Sequence, residues 1–145
     1  MLKVFKKKMI LYFGCVLSIL FGAFIYAVFR EDTYIYKTIE SYIDLSRVKD
    51  HCAILDNDFT KYYLPDYLWA FSLCCGVFII LKPQNIKEVF FYSLISFGLG
   101  GTYEVLQKIN VISGTCDAID IFFYFLAALT VSSFYIILYI KGKLL

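Results

Sequence analysis

FGLGGTYEVLQKINVISGTCDAID, residues 97–120, decides how this chain is read. It holds the end of one apolar helix, a short break, and the start of another, with Glu104 and Gln107 before the break and Asp117 and Asp120 after it. A carboxylate near the end of an apolar span is costly unless it pairs, takes a proton or meets water. The stretch therefore places a polar centre at one face of a membrane protein. Glu104 and Gln107 are three residues apart and share a helical face, and Asp120 lies one turn inward from Asp117, which is placed to cap its helix. Lys108, four residues after Glu104, offers an ion pair as the purely structural explanation of the glutamate.

Working outward, the same apolar character fills most of the chain. Of 145 residues 61% are hydrophobic and 20% aromatic, and mean hydropathy is +0.72, which excludes an ordinary soluble domain. The apolar residues fall into four runs, about 9–29, 65–81, 87–106 and 119–140, each able to cross a bilayer core of about 30 Å at 1.5 Å per helical residue. The first run follows the basic head MLKVFKKK; it is longer than a signal-peptide core and no clean small-x-small site follows it, so it reads as a retained membrane helix. The second opens on Tyr62, Tyr63, Leu64, Pro65, Asp66, Tyr67, Leu68 and Trp69, an interfacial helix start in which Asp66 either caps the first turn or serves a site. In the third, Gly98, Gly100 and Gly101 suggest a close helix-packing seam.

Residues 30–64 are the one sizeable polar segment, with five basic against seven acidic residues. Ile35, Ile39, Tyr42 and Ile43, with Leu45 at the edge, predict an amphipathic helix that covers the bundle or lies on the membrane surface. Lysines flank the chain at Lys3, Lys6, Lys7 and Lys8, at Lys82 and Lys87, and at Lys141 and Lys143. With four spans all of these fall on one side, so the positive-inside rule puts both termini in the cytoplasm and the 30–64 loop outside. The expectation is an all-α, single-domain integral membrane four-helix bundle, with a short amphipathic outer segment between helices one and two.

That topology gathers Asp66, Glu104, Gln107, Asp117 and Asp120 at the outer ends of the last three spans. Such a cluster can share a proton, chelate a divalent cation, or act as acid and base on a lipid headgroup. A phosphate there needs neutralisation, for which Lys108, Lys61, Arg47 or a metal are the candidates. No phosphate loop, nucleophile elbow or zinc-binding pair is present, and Ser113 and Thr115 have no histidine beside them. His51, the only histidine, has Asp50 and Asp56 near it in sequence, but a lone surface histidine needs no function. Five cysteines cannot all pair; Cys52 and Cys116 fall on the same outer side, within reach of one bridge. The small net charge of +2 gives no reason to expect nucleic acid as a partner.

The run Gly101, Thr102, Tyr103, Glu104, Val105, Leu106, Gln107, followed by Gly114, Thr115, Cys116, Asp117, Ala118, Ile119, Asp120, resembles the central motif of the VanZ-like membrane protein family. Leu64, Pro65 and Asp66 are similar to the start of an earlier family helix, so the resemblance covers roughly residues 62–135. It departs where the family carries a turn arginine, since Val111, Ile112 and Ser113 stand there, and where an asparagine and glycine are usual, since Tyr124, Phe125, Leu126 and Ala127 stand there. The resemblance implies a bacterial inner-membrane protein of the cell envelope, with a link to tolerance of the glycopeptide teicoplanin and no established reaction. Three functions follow as expectations: recognition of an envelope lipid or amphiphile by the acidic pocket, an enzyme acting on a lipid headgroup, or an accessory subunit bound to a membrane-protein partner.

Overall fold

The computed structural model describes residues 2–31, 33–112 and 116–140, and the side chains of 9–31, 33–112 and 116–138. Asp32, Ser113, Gly114, Thr115, Lys141 and Lys143, and the side chains of Lys3, Lys6, Lys7 and Lys8, lie outside the described residues. The fold is all-α. Helix α1 covers Leu2–Phe29, two short helices follow as α2, Tyr34–Glu40, and α3, Leu45–His51, and the long helices α4, Leu64–Leu81, α5, Ile86–Lys108, and α6, Ala118–Tyr135, complete the bundle. Four segments are long and apolar enough to cross a membrane, Met9–Phe29, Phe59–Leu81, Ile86–Lys108 and Ala118–Leu138. This is a multi-pass membrane helical bundle.

The second span is longer than its uncharged sequence suggests. A wide π-turn, Phe59–Tyr63, runs straight into α4, so that the span covers 23 residues rather than starting near residue 65. Proline has no N–H for the turn before it, and a wider turn accommodates the missing bond at Pro65. The true cap lies upstream, where the Thr60 N–H donates to Asn57 Oδ1 at 2.9 Å. Phe123 of α6 packs on Phe59 and Tyr63, with ring centroids 5.7 and 5.6 Å away, and ties the π-turn to the bundle.

Helix α4 is the centre: α1, α5 and α6 all pack on it, whereas α1 meets α5 and α6 only marginally. Near the α4–α5 turn the core is Leu11, Cys74, Cys75, Phe78, Val89, Val131 and Tyr135. Hydroxyl groups here are consumed locally. Ser72 donates to the Cys15 carbonyl at 2.9 Å, linking α4 to α1, and Ser93 bonds Ser132, linking α5 to α6. The turn between α4 and α5 is sharp because Lys82 adopts a left-handed backbone, φ 52°, and Pro83 cannot continue the helix.

The outer segment is two helices, not one. Thr33 caps α2 and Asp44 caps α3, each side chain accepting a hydrogen bond from a backbone N–H. The break between them rotates the expected apolar stripe out of register: Tyr36 and Leu45 are buried with Ile39 and Val48 against Ile25, Val28 and Phe29 of α1, while Tyr42 and Ile43 are exposed. Lys49 fastens this cover, donating to Tyr36 Oη at 3.1 Å and pairing with Glu31. The bond from Lys49 holds the Glu31 carboxyl below its ordinary range. Burial works against the Lys49 charge, but its bonds to Glu31 and Tyr36 outweigh that and hold the ammonium above its ordinary value.

Of the three seam glycines only Gly100 is in a seam. A methyl group on it would come within 2.7 Å of the Tyr124 ring, whereas Gly98 and Gly101 have open space. Gly100→Ala is therefore expected to lower bundle stability by about 1–3 kcal/mol through overpacking. Gly98→Ala and Gly101→Ala should be neutral or stabilising by up to about 1 kcal/mol. Reversible unfolding in mixed micelles measures all three, and equal effects at the three positions would refute the seam at Gly100.

Candidate functional site

The α5–α6 break is built on Glu104, which is 2% exposed. A carboxylate so placed needs hydrogen-bond donors. The helix after the break supplies two: Tyr124 donates its hydroxyl to Glu104 Oε1 at 2.9 Å, and the Asp117 backbone N–H donates to Oε2 at 3.2 Å. Asn110, with φ 57°, lets the chain leave α5 in a left-handed turn that asparagine tolerates. Asp117 then caps α6, accepting from the Ile119 N–H at 2.9 Å. Lys108 is exposed and forms no ion pair among the described residues, so the anticipated Glu104–Lys108 pair is not what holds the glutamate. Gln107 sits one turn beyond Glu104, and its Oε1 is buried without a hydrogen-bond partner among the described residues.

Asp66 does not cap. The helix continues upstream of it, and its carboxylate makes no hydrogen bond or direct ion pair among the described residues. It lines a cavity of about 470 Å³ whose walls include Tyr103 of α5 and Tyr124 of α6. One wall is α1, through Ile19, Gly22, Ala23, Tyr26 and Ala27; the others are Pro65 and Trp69 of α4, Tyr103 of α5, Tyr124 of α6 and Ile35 of α2. The cavity exists because α1 follows α4 but leaves α5 and α6 unaccompanied. Gly22 of α1 packs on α4, where a methyl group would stand in ordinary contact, 3.4 Å from Leu68 Cβ. The rings of Trp69, Tyr103 and Tyr124 form a contiguous face, with Trp69 centroid distances of 6.3 and 6.5 Å to the two tyrosines.

The five carboxylate and amide candidates therefore split. Asp66 lines the cavity, Glu104 stands behind its wall through Tyr124, and Asp120 is half-buried and outside the lining. Asp117 is used as a cap, and neither it nor Gln107 lines the cavity. Of the cations, Lys61 pairs with Asp56 at 2.6 Å and the exposed Arg47 with Asp44 at 3.4 Å, both outside the cavity. The residue missed in the sequence is Arg30. Its guanidinium lies over the rings of Tyr26 and Tyr62, at 5.1 and 5.6 Å, and its charge reaches both Asp66 and Asp120. Tyr26, four residues earlier on the same helical face, is the signal that marks it.

Among the described residues no three histidine, cysteine, aspartate or glutamate side chains come together in a way that holds a metal ion. Cys52 and Cys116 are both free thiols, so the bridge within their reach is not made. His51 is exposed and bonds the Arg47 carbonyl on its own helix at 2.7 Å. Comparison with known proteins finds no matching family model, curated protein or solved structure. The VanZ-like resemblance rests on its short motif alone.

Tyr124→Phe removes one of the two donors to Glu104 and leaves a buried carboxylate oxygen short of a partner. The expected loss is about 1–3 kcal/mol of stability. Chemical unfolding of the variant in lipid-containing micelles checks this, and an unchanged midpoint would show that the Glu104 clamp contributes nothing to the bundle.

Proposed function

We propose that this protein recognises an amphiphile of the bacterial envelope, its apolar tail entering the cavity beside α1 and its headgroup meeting Asp66. In this reading the chain sits in the inner membrane with both termini cytoplasmic and the cavity in the outer half of the bilayer. The observation that carries it is the cavity itself. About 470 Å³ is within the range of roughly 300–1,000 Å³ usual for small-molecule sites, and aromatic and aliphatic walls with one convergent carboxylate are the usual lining. Ile19, Ala23 and Tyr103 are exposed at its edge, so a lipid tail reaches it from the bilayer without crossing water.

The acidic group shapes this site without filling it. Glu104 holds Tyr124 in the wall, and Asp120 adds negative potential beside Asp66. A lipid-processing enzyme would use the same groups, with a base or nucleophile hydrogen-bonded to Asp66, a pairing not made among the described residues. The accessory-subunit reading drew on small size, aromatic content and the Gly98, Gly100 and Gly101 seam; of those three glycines the packed one, Gly100, faces Tyr124 within the bundle. If the VanZ-like resemblance holds, the amphiphile belongs to the envelope chemistry that glycopeptides attack, and tolerance of teicoplanin follows from its capture.

Native mass spectrometry of the protein released from a mild membrane mimic tests the reading. Wild type should carry a bound amphiphile. Ala23→Trp, which fills the cavity, should lose it, and Leu94→Trp, at an exposed α5 position outside the lining, should keep it. Equal occupancy in all three would eliminate the cavity as the binding site.

A further inference from the structure

The cavity is selective in charge as well as in shape. Asp66 lines the cavity, Glu104 stands behind its wall bonded to the lining residue Tyr124, and Arg30 lies over the lining residue Tyr26. Glu104 is satisfied from within the protein, by Tyr124 and the Asp117 N–H. Asp66 is not: it is the carboxylate that both lines the cavity and lacks a hydrogen bond among the described residues. Around it stand Tyr26, Trp69, Tyr103 and Tyr124, four π-faces lining the same space. A desolvated ammonium gains from a carboxylate and from aromatic faces together, and such contacts contribute about 0.5–2 kcal/mol each. An anionic headgroup placed there would meet Asp66 without a lysine, since Lys61 is paired with Asp56 and Lys108 is outside the lining.

We infer that the headgroup held in this cavity carries an ammonium group, seated on the Asp66 carboxylate among the rings of Tyr26, Trp69, Tyr103 and Tyr124. This rests on the amphiphile reading above and names its ligand class as an amine-bearing lipid. Arg30 stands at the end of α1, beyond Tyr26 along the helix, and its guanidinium is stacked between Tyr26 and Tyr62. A zwitterionic lipid supplies such an ammonium, and Arg30, held over the lining residue Tyr26, is the cation on hand to offset its phosphate. The tail lies along Ala23 and Ile19, one and two turns deeper on α1.

Trp69 is the only tryptophan in the chain and lines the cavity, so its fluorescence reports occupancy directly. The full chain is reconstituted in phosphatidylglycerol bilayers, and phosphatidylethanolamine with brominated chains is added; the reciprocal experiment adds brominated phosphatidylglycerol to phosphatidylethanolamine bilayers. Wild type should be quenched by the brominated ethanolamine lipid at a mole fraction about tenfold lower than by the brominated glycerol lipid, the ratio that one added ion-pair and cation–π contact gives. Asp66→Asn should bring the two curves together, and Asp66→Glu should restore the difference. Coincident curves in the wild type, with an amphiphile still bound in native mass spectrometry, overturn the ammonium assignment and leave the amphiphile reading standing. Coincident curves with nothing bound overturn both. A preference that survives Asp66→Asn overturns the role given to that carboxylate.

Discussion

The buried carboxylate of Glu104 is the constraint around which the end of the bundle at the α5–α6 break is arranged. It lies on α5 but its two donors come from α6, one from the first backbone N–H before the helix and one from a tyrosine two turns in. An unsatisfied carboxylate in an apolar bundle costs far more than the net value of any one hydrogen bond, so the α5–α6 turn has little freedom to open. Tyr124 can make its bond because Gly100, one turn before Glu104, leaves room for the ring. Glycine, tyrosine and glutamate are thus one device spread over two helices.

From that device the cavity follows. Tyr124, fixed from behind, presents its ring beside Trp69, and Trp69 meets Tyr103 of α5. These three rings form a wall that α1 faces without closing on it, because of the other long helices α1 packs chiefly on α4. The gap is apolar along most of its length and ends at Asp66, where the π-turn upstream has already satisfied the helix start and left the carboxylate unused by the backbone. Aromatic wall and carboxylate thus come from one piece of geometry: the open side is apolar, and Asp66 stands at the end of the cavity.

The short helices of the outer segment serve this arrangement by covering the α1 end. Tyr36 and Leu45 fill the space over Ile25 and Phe29, and the Lys49 contacts with Glu31 and Tyr36 hold the cover in place. Ile35, on the exposed side of the same short helix, contributes to the cavity rim. Arg30, at the junction of span and cover, lies over two aromatic rings, Tyr26 and Tyr62, and makes no direct ion pair among the described residues.

Much of this was legible in the amino-acid order. Four apolar runs of spanning length fix a multi-pass helical bundle, because a backbone in hydrocarbon has to satisfy its own hydrogen bonds, and the spacing of Glu104, Asp117 and Asp120 about a short break brings them to one end of it. Composition also located the polar segment between the first two spans. Tertiary structure alone decided the rest. Pairing across helices has no sequence period, so nothing local distinguishes Gly100 from Gly98, or Tyr124 from the other aromatics of α6, as the partner of Glu104. The capping residues Thr33 and Asp44 outweighed a weak apolar periodicity and split the outer helix, and a turn of unusual width moved the helix start away from Asp66. Arg30 joined the site because α1 returns against α4, a contact between residues far apart in the chain that only packing in three dimensions selects.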